Sequence, residues 1–148
     1  MQRQLVYLAL GIIATILFIL FKVELYESIY YSQGFSDKFY NLGLYDAVAI
    51  ITAVIAWGGA VIYYYVINSV KFDRWYHWLI TLAVVSVIAP IVCYAYNDYV
   101  FADNNLLYIG ESVYFEFVNM LFTALLFVIA SFSVRWWSSN CRHTPIPQ

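Results

Sequence analysis

Apolar residues arrive in four long runs, at 5–21, 44–67, 76–96 and 113–134, separated by short stretches where charged, amide and turn-forming residues collect. Each run approaches the roughly 20 residues that carry an α-helix across a hydrocarbon core. None alternates apolar and polar positions with the period of two that barrel strands require, and Leu, Ile, Ala and Val dominate, so the runs read as helices. The predicted architecture is an all-α integral membrane protein, a single membrane domain over 1–148 built as a four-transmembrane-helix bundle with ordered outer loops. Only the tail, 135–148, is expected to be flexible, its prolines favouring extended chain.

Polar and small positions refine each run. After Lys22 the residues Leu25, Ile29, Tyr30 and Tyr31 keep helical spacing up to Gly34, a plausible helix stop, so the first helix is predicted to project beyond the membrane. Ser36 and Asp37 offer the next helix start, and Phe35, Phe39 and Tyr40 can fold back onto the bundle. In the second run Asp46, Ala49, Ala53, Ala56 and Ala60 recur at spacings of three and four, which stacks one carboxylate and four small side chains on a stripe suited to close helix packing. Pro90, inside the third run, frees the carbonyl of Ser86 and predicts a kink.

The fourth run carries Ser112, Glu116, Asn119 and Thr123 on one stripe. A carboxylate facing lipid at mid-bilayer costs about 2.5 to 3.5 kcal/mol, so this stripe should face protein or water. Between the third and fourth runs, 97–112 mixes turn formers with Leu106, Leu107 and Tyr108, an apolar patch that wants a cover.

Charge then orients the bundle. Arg3, Lys71, Arg74, Arg135 and Arg142 fall at the amino terminus, the second loop and the tail, against only Lys22 and Lys38 in the other loops, which predicts cytoplasmic termini. Of the nine acidic residues, all but Asp73 fall toward the opposite end. Trp75 and Trp78 beside Lys71 and Arg74, and Trp136 and Trp137 beside Arg135, are expected at headgroup level as topology and interface anchors. No small-residue cleavage site follows the first run, so it reads as a retained span and not a signal peptide. The small size and compact loops fit a bacterial inner membrane. With 64% hydrophobic and 11% charged residues, the chain has too little polar surface to dissolve as a compact monomer.

Candidate chemistry is sparse. One constellation stands out: Asp46, Glu116 and Asn119, joined by Lys22, at the outer ends of spans one, two and four. Two carboxylates sharing a site would raise one pKa, the arrangement proton-coupled carriers use. Two histidines, His77 and His143, supply no transmembrane pair, so neither haem nor a metal is expected, and no cofactor. Cys93 and Cys141 fall on different sides of the predicted topology, which argues against an intrachain disulfide. No base neighbours a nucleophile, so an enzyme is not expected, and five scattered basic residues give no nucleic-acid surface.

The reading that fits best is a non-enzymatic small membrane subunit or anchor of a larger envelope assembly, for example a secretion or contractile injection apparatus. Its partners would be the lipid bilayer and other membrane or envelope proteins, or further copies of itself. Tyr30, Tyr31, Phe35, Tyr40, Leu106, Leu107 and Tyr108 are the expected partner contacts, because both outer loops hold more aromatics than solvent loops need. A small oligomeric channel or proton-coupled carrier is one alternative. In topology alone, with four spans, inner termini and a long first outer loop, the layout resembles that of immunity proteins against pore-forming colicins, which implies a protective role as the other.

Overall fold

The computed structural model describes residues 1–146, and every regular element among them is helical. Helices α1 (Gln2–Leu20) and α2 (Lys22–Ile29) are nearly continuous, with the amide of Phe21 donating to Leu17 and that of Leu25 to Phe21 across the junction. Then come α3 (Gln33–Asn41) and α4 (Leu44–Val61), which ends in a π-helical turn, Ile62–Ile67. A 3-10 turn, Val70–Phe72, leads into α5 (Trp75–Asp103), followed by α6 (Ile109–Val134) and a 3-10 turn, Arg135–Trp137.

Four helices are long and apolar enough to cross a membrane: Gln2–Leu20, Leu44–Ile67, Trp75–Asp103 and Ile109–Trp137. They form an antiparallel bundle in which α6 packs against α5, α4 and α1, while α4 also packs against α5. The amino terminus, the loop after α4 and the tail share one end, here the hinge end. Helices α2 and α3 and the loop before α6 form a cap at the other.

Large apolar side chains are exposed along the long helices, unlike those of a protein in water, and polar ones are buried among the apolar core residues. Ile50, Val54, Val84, Ile91, Leu121 and Leu125 are exposed, whereas Thr52, Asn97, Glu116, Asn119, Thr123 and Ser131 are buried. Ala49, Ala53, Ala56 and Ala60 are all buried in the seam that α4 presents to its neighbours. A methyl group added at Gly59 would stand 2.5 Å from a Val85 methyl, and one added at Gly11 would fall onto the Ser133 side chain. Close approach of small residues thus sets two helix pairs, α4 with α5 and α1 with α6.

The cap is a compact aromatic core. Phe39 lies 4.5 Å from Phe115 and 4.7 Å from Tyr45, Tyr26 lies 4.9 Å from Phe115, and Phe35 lies 5.0 Å from Phe39, centroid to centroid. Each such pair adds roughly 0.5 to 1.5 kcal/mol beyond its area burial. The segment between α1 and α4 is therefore built of helices packed on this core.

Several expectations are corrected. Helix α2 stops at Ile29, where Tyr30 turns extended, and Gly34 lies inside α3. The new helix starts after Ser32, not at Ser36 or Asp37; Ser36 instead accepts the Ser32 amide through its hydroxyl at 3.1 Å. The reversal comes later, at Gly43, whose φ of +69° is a left-handed conformation that glycine adopts without strain. Asn97, Asp98 and Asp103, read as turn formers, are helical, because α5 outruns the predicted span by about two turns and leaves a loop of only 104–108. Pro90, by contrast, is buried inside α5 with helix on both sides of it, an arrangement that the expected kink allows.

The hinge end departs furthest from expectation. Trp78 is not a headgroup anchor but a buried one: its indole N–H donates to Ser131 Oγ at 3.0 Å and its ring packs on Phe127. Trp75 and Trp137 remain exposed. Arg135 is only 4% exposed and donates to the carbonyls of Thr144 and Ile146. The tail, expected to be flexible over 135–148, carries hydrogen bonds to the hinge as far as the Ile146 carbonyl, and 147–148 lie outside the described residues. Asn68, at φ +33°, accepts the Ser138 hydroxyl and the Asn140 amide at 2.9 Å each and donates to Ser139 at 2.8 Å. The π-helical turn fans out three consecutive tyrosines to different segments: Tyr63 donates to the Phe72 carbonyl, Tyr64 to Thr144 and Tyr65 to Val134.

Candidate functional site

The polar stripe of α6 turns inward and gathers an extended polar cluster in the bundle's cap half. Glu116 occupies its centre. Asn97 on α5 donates to Glu116 Oε1 at 3.0 Å, and Asn119, one turn along α6, donates to Oε2 at 3.0 Å. Asn119 Oδ1 in turn accepts the Tyr26 hydroxyl of α2 at 2.7 Å and the Thr52 hydroxyl of α4 at 2.9 Å. Thr123 donates to the Asn119 carbonyl at 2.7 Å, which fixes the top of this turn from below. Cys93 on α5 closes the ring, 3.8 Å from Thr52.

Four helices contribute because each places a polar residue on its buried face. On α5, Ala89, Cys93, Asn97 and Phe101 follow at intervals of four, so Asn97 continues an otherwise apolar seam. On α4, Thr52 falls between Ala49 and Ala53 in the buried stripe. All the side chains of the cluster are buried, Asn119, Asn97 and Thr52 completely. Burial is the largest effect on the Tyr26 phenol, which lies outside the spanning segments, and raises its pKa well above the ordinary value, with Cys93 and Glu116 pushing the same way. Tyr26 is therefore a donor to Asn119 at every physiological pH.

The four residues expected to converge divide into two sets. Glu116 and Asn119 sit in the buried cluster. Lys22 and Asp46 instead form an ion pair at 2.6 Å, and the Asp46 side chain is 66% exposed. The hydrogen-bond partners of Glu116 are amides, so the carboxylate pair of a carrier site is not assembled in this conformation. An apolar groove of about 230 Å³ between α5 and α6, lined by Pro90, Ile91, Tyr94, Phe117 and Met120, reaches Glu116 from the side, but both carboxylate oxygens are engaged inward. One acceptor, Asn97 Oδ1, is buried without a partner among the described residues. The cluster can hold helices in register, and no group of His, Cys, Asp and Glu side chains that could hold a metal ion occurs among the described residues.

The expected partner contacts also divide. Phe35 lies inside the cap core at 1% exposure. Tyr31, Tyr40 and Leu107 are exposed, joined by Tyr99, one of the loop aromatics evident in the sequence, and by Tyr114, which the sequence pattern alone did not single out. Tyr30, Leu106 and Tyr108 are half-buried against the core. Tyr30 packs on Tyr114 at 6.2 Å, and partial burial, with Glu111 and Tyr114 nearby, raises its pKa.

Three members of the buried cluster escape a reading of the sequence alone: Tyr26, Thr52 and Asn97. The interval of four from Cys93 to Asn97 to Phe101 is the signal that places Asn97 on a helix. Compared with known protein families, curated protein sequences and solved structures, the chain matches none.

Proposed function

We propose that the protein is a non-enzymatic small membrane subunit, an anchor within a larger bacterial envelope assembly such as a secretion or contractile injection apparatus. In this reading the four long helices span the inner membrane, both termini are cytoplasmic and the cap faces outward. Exposed aliphatic faces along the four long helices support the membrane placement, since helices satisfy their own backbone polar groups in lipid. The excess of basic residues at the hinge end supports the orientation.

The observation that carries the docking role is the construction of the cap. Its inner aromatics are fully buried, yet Tyr31, Tyr40, Tyr99 and Leu107 stand 56%, 63%, 71% and 77% exposed around them, Tyr40 on α3, Tyr99 on α5, and Tyr31 and Leu107 in the short connections between helices. Rigid aromatic and aliphatic side chains displayed on a prefolded platform bind with little ordering cost, and such residues form the centres of protein interfaces. The sealed polar cluster supports the same reading, because it braces the platform from below.

The test is extraction of the protein in a mild detergent, with the native mass of the complex and the identity of every copurifying chain. A stoichiometric foreign partner is expected, and its recovery should fall about tenfold or more in the Tyr40→Ala, Leu107→Ala double variant if these side chains are central to the interface. A clean homo-oligomer or monomer that accounts for all of the extracted protein would overturn the subunit reading.

A further inference from the structure

We propose that the seam between α1 and α6 at the hinge end is a specific site for one anionic glycerophospholipid, with its phosphate near Arg3 and an acyl chain along the two helices. The proposal rests on the membrane placement above. It goes beyond the subunit reading, which requires no bound lipid.

Two adjoining cavities make the site. The first, about 710 Å³, opens at the end of the bundle and is lined by Gln2, Arg3, Gln4, Tyr7 and Trp136. Its free polar groups are a guanidinium, two carboxamides and a phenol, a set rich in N–H and O–H donors, while the Trp136 indole N–H is already given to the Phe132 carbonyl at 2.8 Å. Arg3 has no ion-pair partner among the described residues, so its charge is available to a phosphate. The second cavity, about 310 Å³, starts at the same Tyr7 and runs inward between Leu10, Gly11 and Ala14 of α1 and Val128, Ile129 and Phe132 of α6. It is apolar along its walls, and from Tyr7 to Ala14 it covers about 10 Å of helix rise.

The order of these cavities selects the ligand. A polar slot at the helix ends that continues, through a shared tyrosine, into an apolar groove directed toward the middle of the same helices matches a headgroup followed by an acyl chain. A free phosphate would leave the groove unfilled, and an apolar molecule would leave Arg3 unused. The stacked pair Tyr7 and Trp136, 5.1 Å apart, sits at the junction, where rings with an apolar body and a polar edge suit the headgroup level.

A second observation points to an anion at this place. Arg135 lies directly behind the slot, its guanidinium 4.3 Å over the Trp136 ring and 4.8 Å over Phe132, two residues that line the two cavities. It is buried, no carboxylate pairs with it among the described residues, and its Nε has no hydrogen-bond partner there. A buried cation with only carbonyl acceptors adds positive potential to the slot, and a lipid phosphate would complement it.

The full chain, purified in detergent and stripped of lipid, is titrated with phosphatidylglycerol, with phosphatidylcholine of the same acyl chains and with inorganic phosphate, and bound lipid is read by native mass spectrometry. A single phosphatidylglycerol should be retained about fivefold or more tightly than phosphatidylcholine, as expected when one further cation acts on the headgroup, and inorganic phosphate should not displace it. Arg3→Gln, at an exposed position, should remove that preference. Ala14→Trp, which fills the groove, should release both lipids, with elution volume reporting that the bundle is intact. Equal retention of the two lipids, an unchanged preference in Arg3→Gln, or displacement by inorganic phosphate would overturn the proposal. Resistance of the protein to alkaline extraction from membranes tests the membrane placement separately, so the two failures are distinguishable.

Discussion

Asn119 is the residue on which the interior depends. Its amide donates to Glu116, its side-chain oxygen accepts from Tyr26 and Thr52, and its carbonyl holds Thr123, so one side chain joins α2, α4 and α6. Glu116 contributes differently: it only accepts, and each of its oxygens takes one amide donor. Asn119→Ala leaves the Tyr26 hydroxyl and one Glu116 oxygen without partners in a buried site, at a cost of about 1 to 3 kcal/mol per orphaned group, and leaves Thr52 only its contact with Cys93. Glu116→Gln keeps the shape, and because Asn97 now faces Oε1 with its N–H₂, a turn-over of the Asn97 amide lets the new N–H₂ donate to Asn97 Oδ1, the acceptor that has no partner now. Thermal unfolding in detergent should therefore rank Asn119→Ala as strongly destabilised and Glu116→Gln as close to the parent. The reverse order would mean that the carboxylate, and not the amide, organises the cluster. The stripe through Ser112, Glu116, Asn119 and Thr123 is legible in the sequence because an acid and an amide in a run of apolar residues must face inward. Its partners are not, since a threonine and a tyrosine in such company look like ordinary packing.

At the level of elements, the four long helices follow from hydropathy alone, and their ends do not. An apolar run marks what lipid can touch, whereas α5 continues through Asn97, Asp98 and Asp103 because Asn97 and Phe101 have partners in the cap. The tail is the larger surprise. Its composition is that of a disordered segment, yet Asn68, Tyr64 and Arg135 offer it partners that no local pattern announces. Cys141 reports on this clasp. It is completely buried beneath the tail, its thiol facing the carbonyls of Ser69 and Phe72, and burial above all raises its pKa, with Asp73 acting in the same direction. Alkylation proceeds through the thiolate, so both the burial and the raised pKa slow it. Maleimide should modify Cys141 slowly in the native protein and at least tenfold faster in Asn68→Ala, which removes the side chain that holds Ser138, Ser139 and Asn140. Rapid modification of the parent protein would show that the tail leaves the hinge in solution.

Over the whole molecule, charge and exposure are arranged along the same axis. The cap end displays Glu24, Asp37, Asp46, Asp98 and Asp103, while Arg3, Lys71, Arg74 and Arg142 are exposed at the hinge end. Basic residues close to membrane spans stay on the cytoplasmic side, and acidic residues contribute little to that choice, so the hinge end sets the orientation proposed for the chain. Lys71 and Arg74 carry the decision at the centre of the sequence. They lie between the second and third spans, free of ion pairs among the described residues, with Trp75 exposed beside them. Arg135 weighs less than a count of charges suggests, because it is buried in the clasp. In a background with both native cysteines replaced, a cysteine at exposed Asp103 should react with a membrane-impermeant maleimide in intact cells, and a cysteine at exposed Ser139 only after the membrane is opened. Changing Lys71 and Arg74 to glutamine should weaken that difference and leave part of the population inverted. If the labelling pattern is reversed in the parent protein, the aromatic cap lies in the cytoplasm, and the partner that it docks must be sought there.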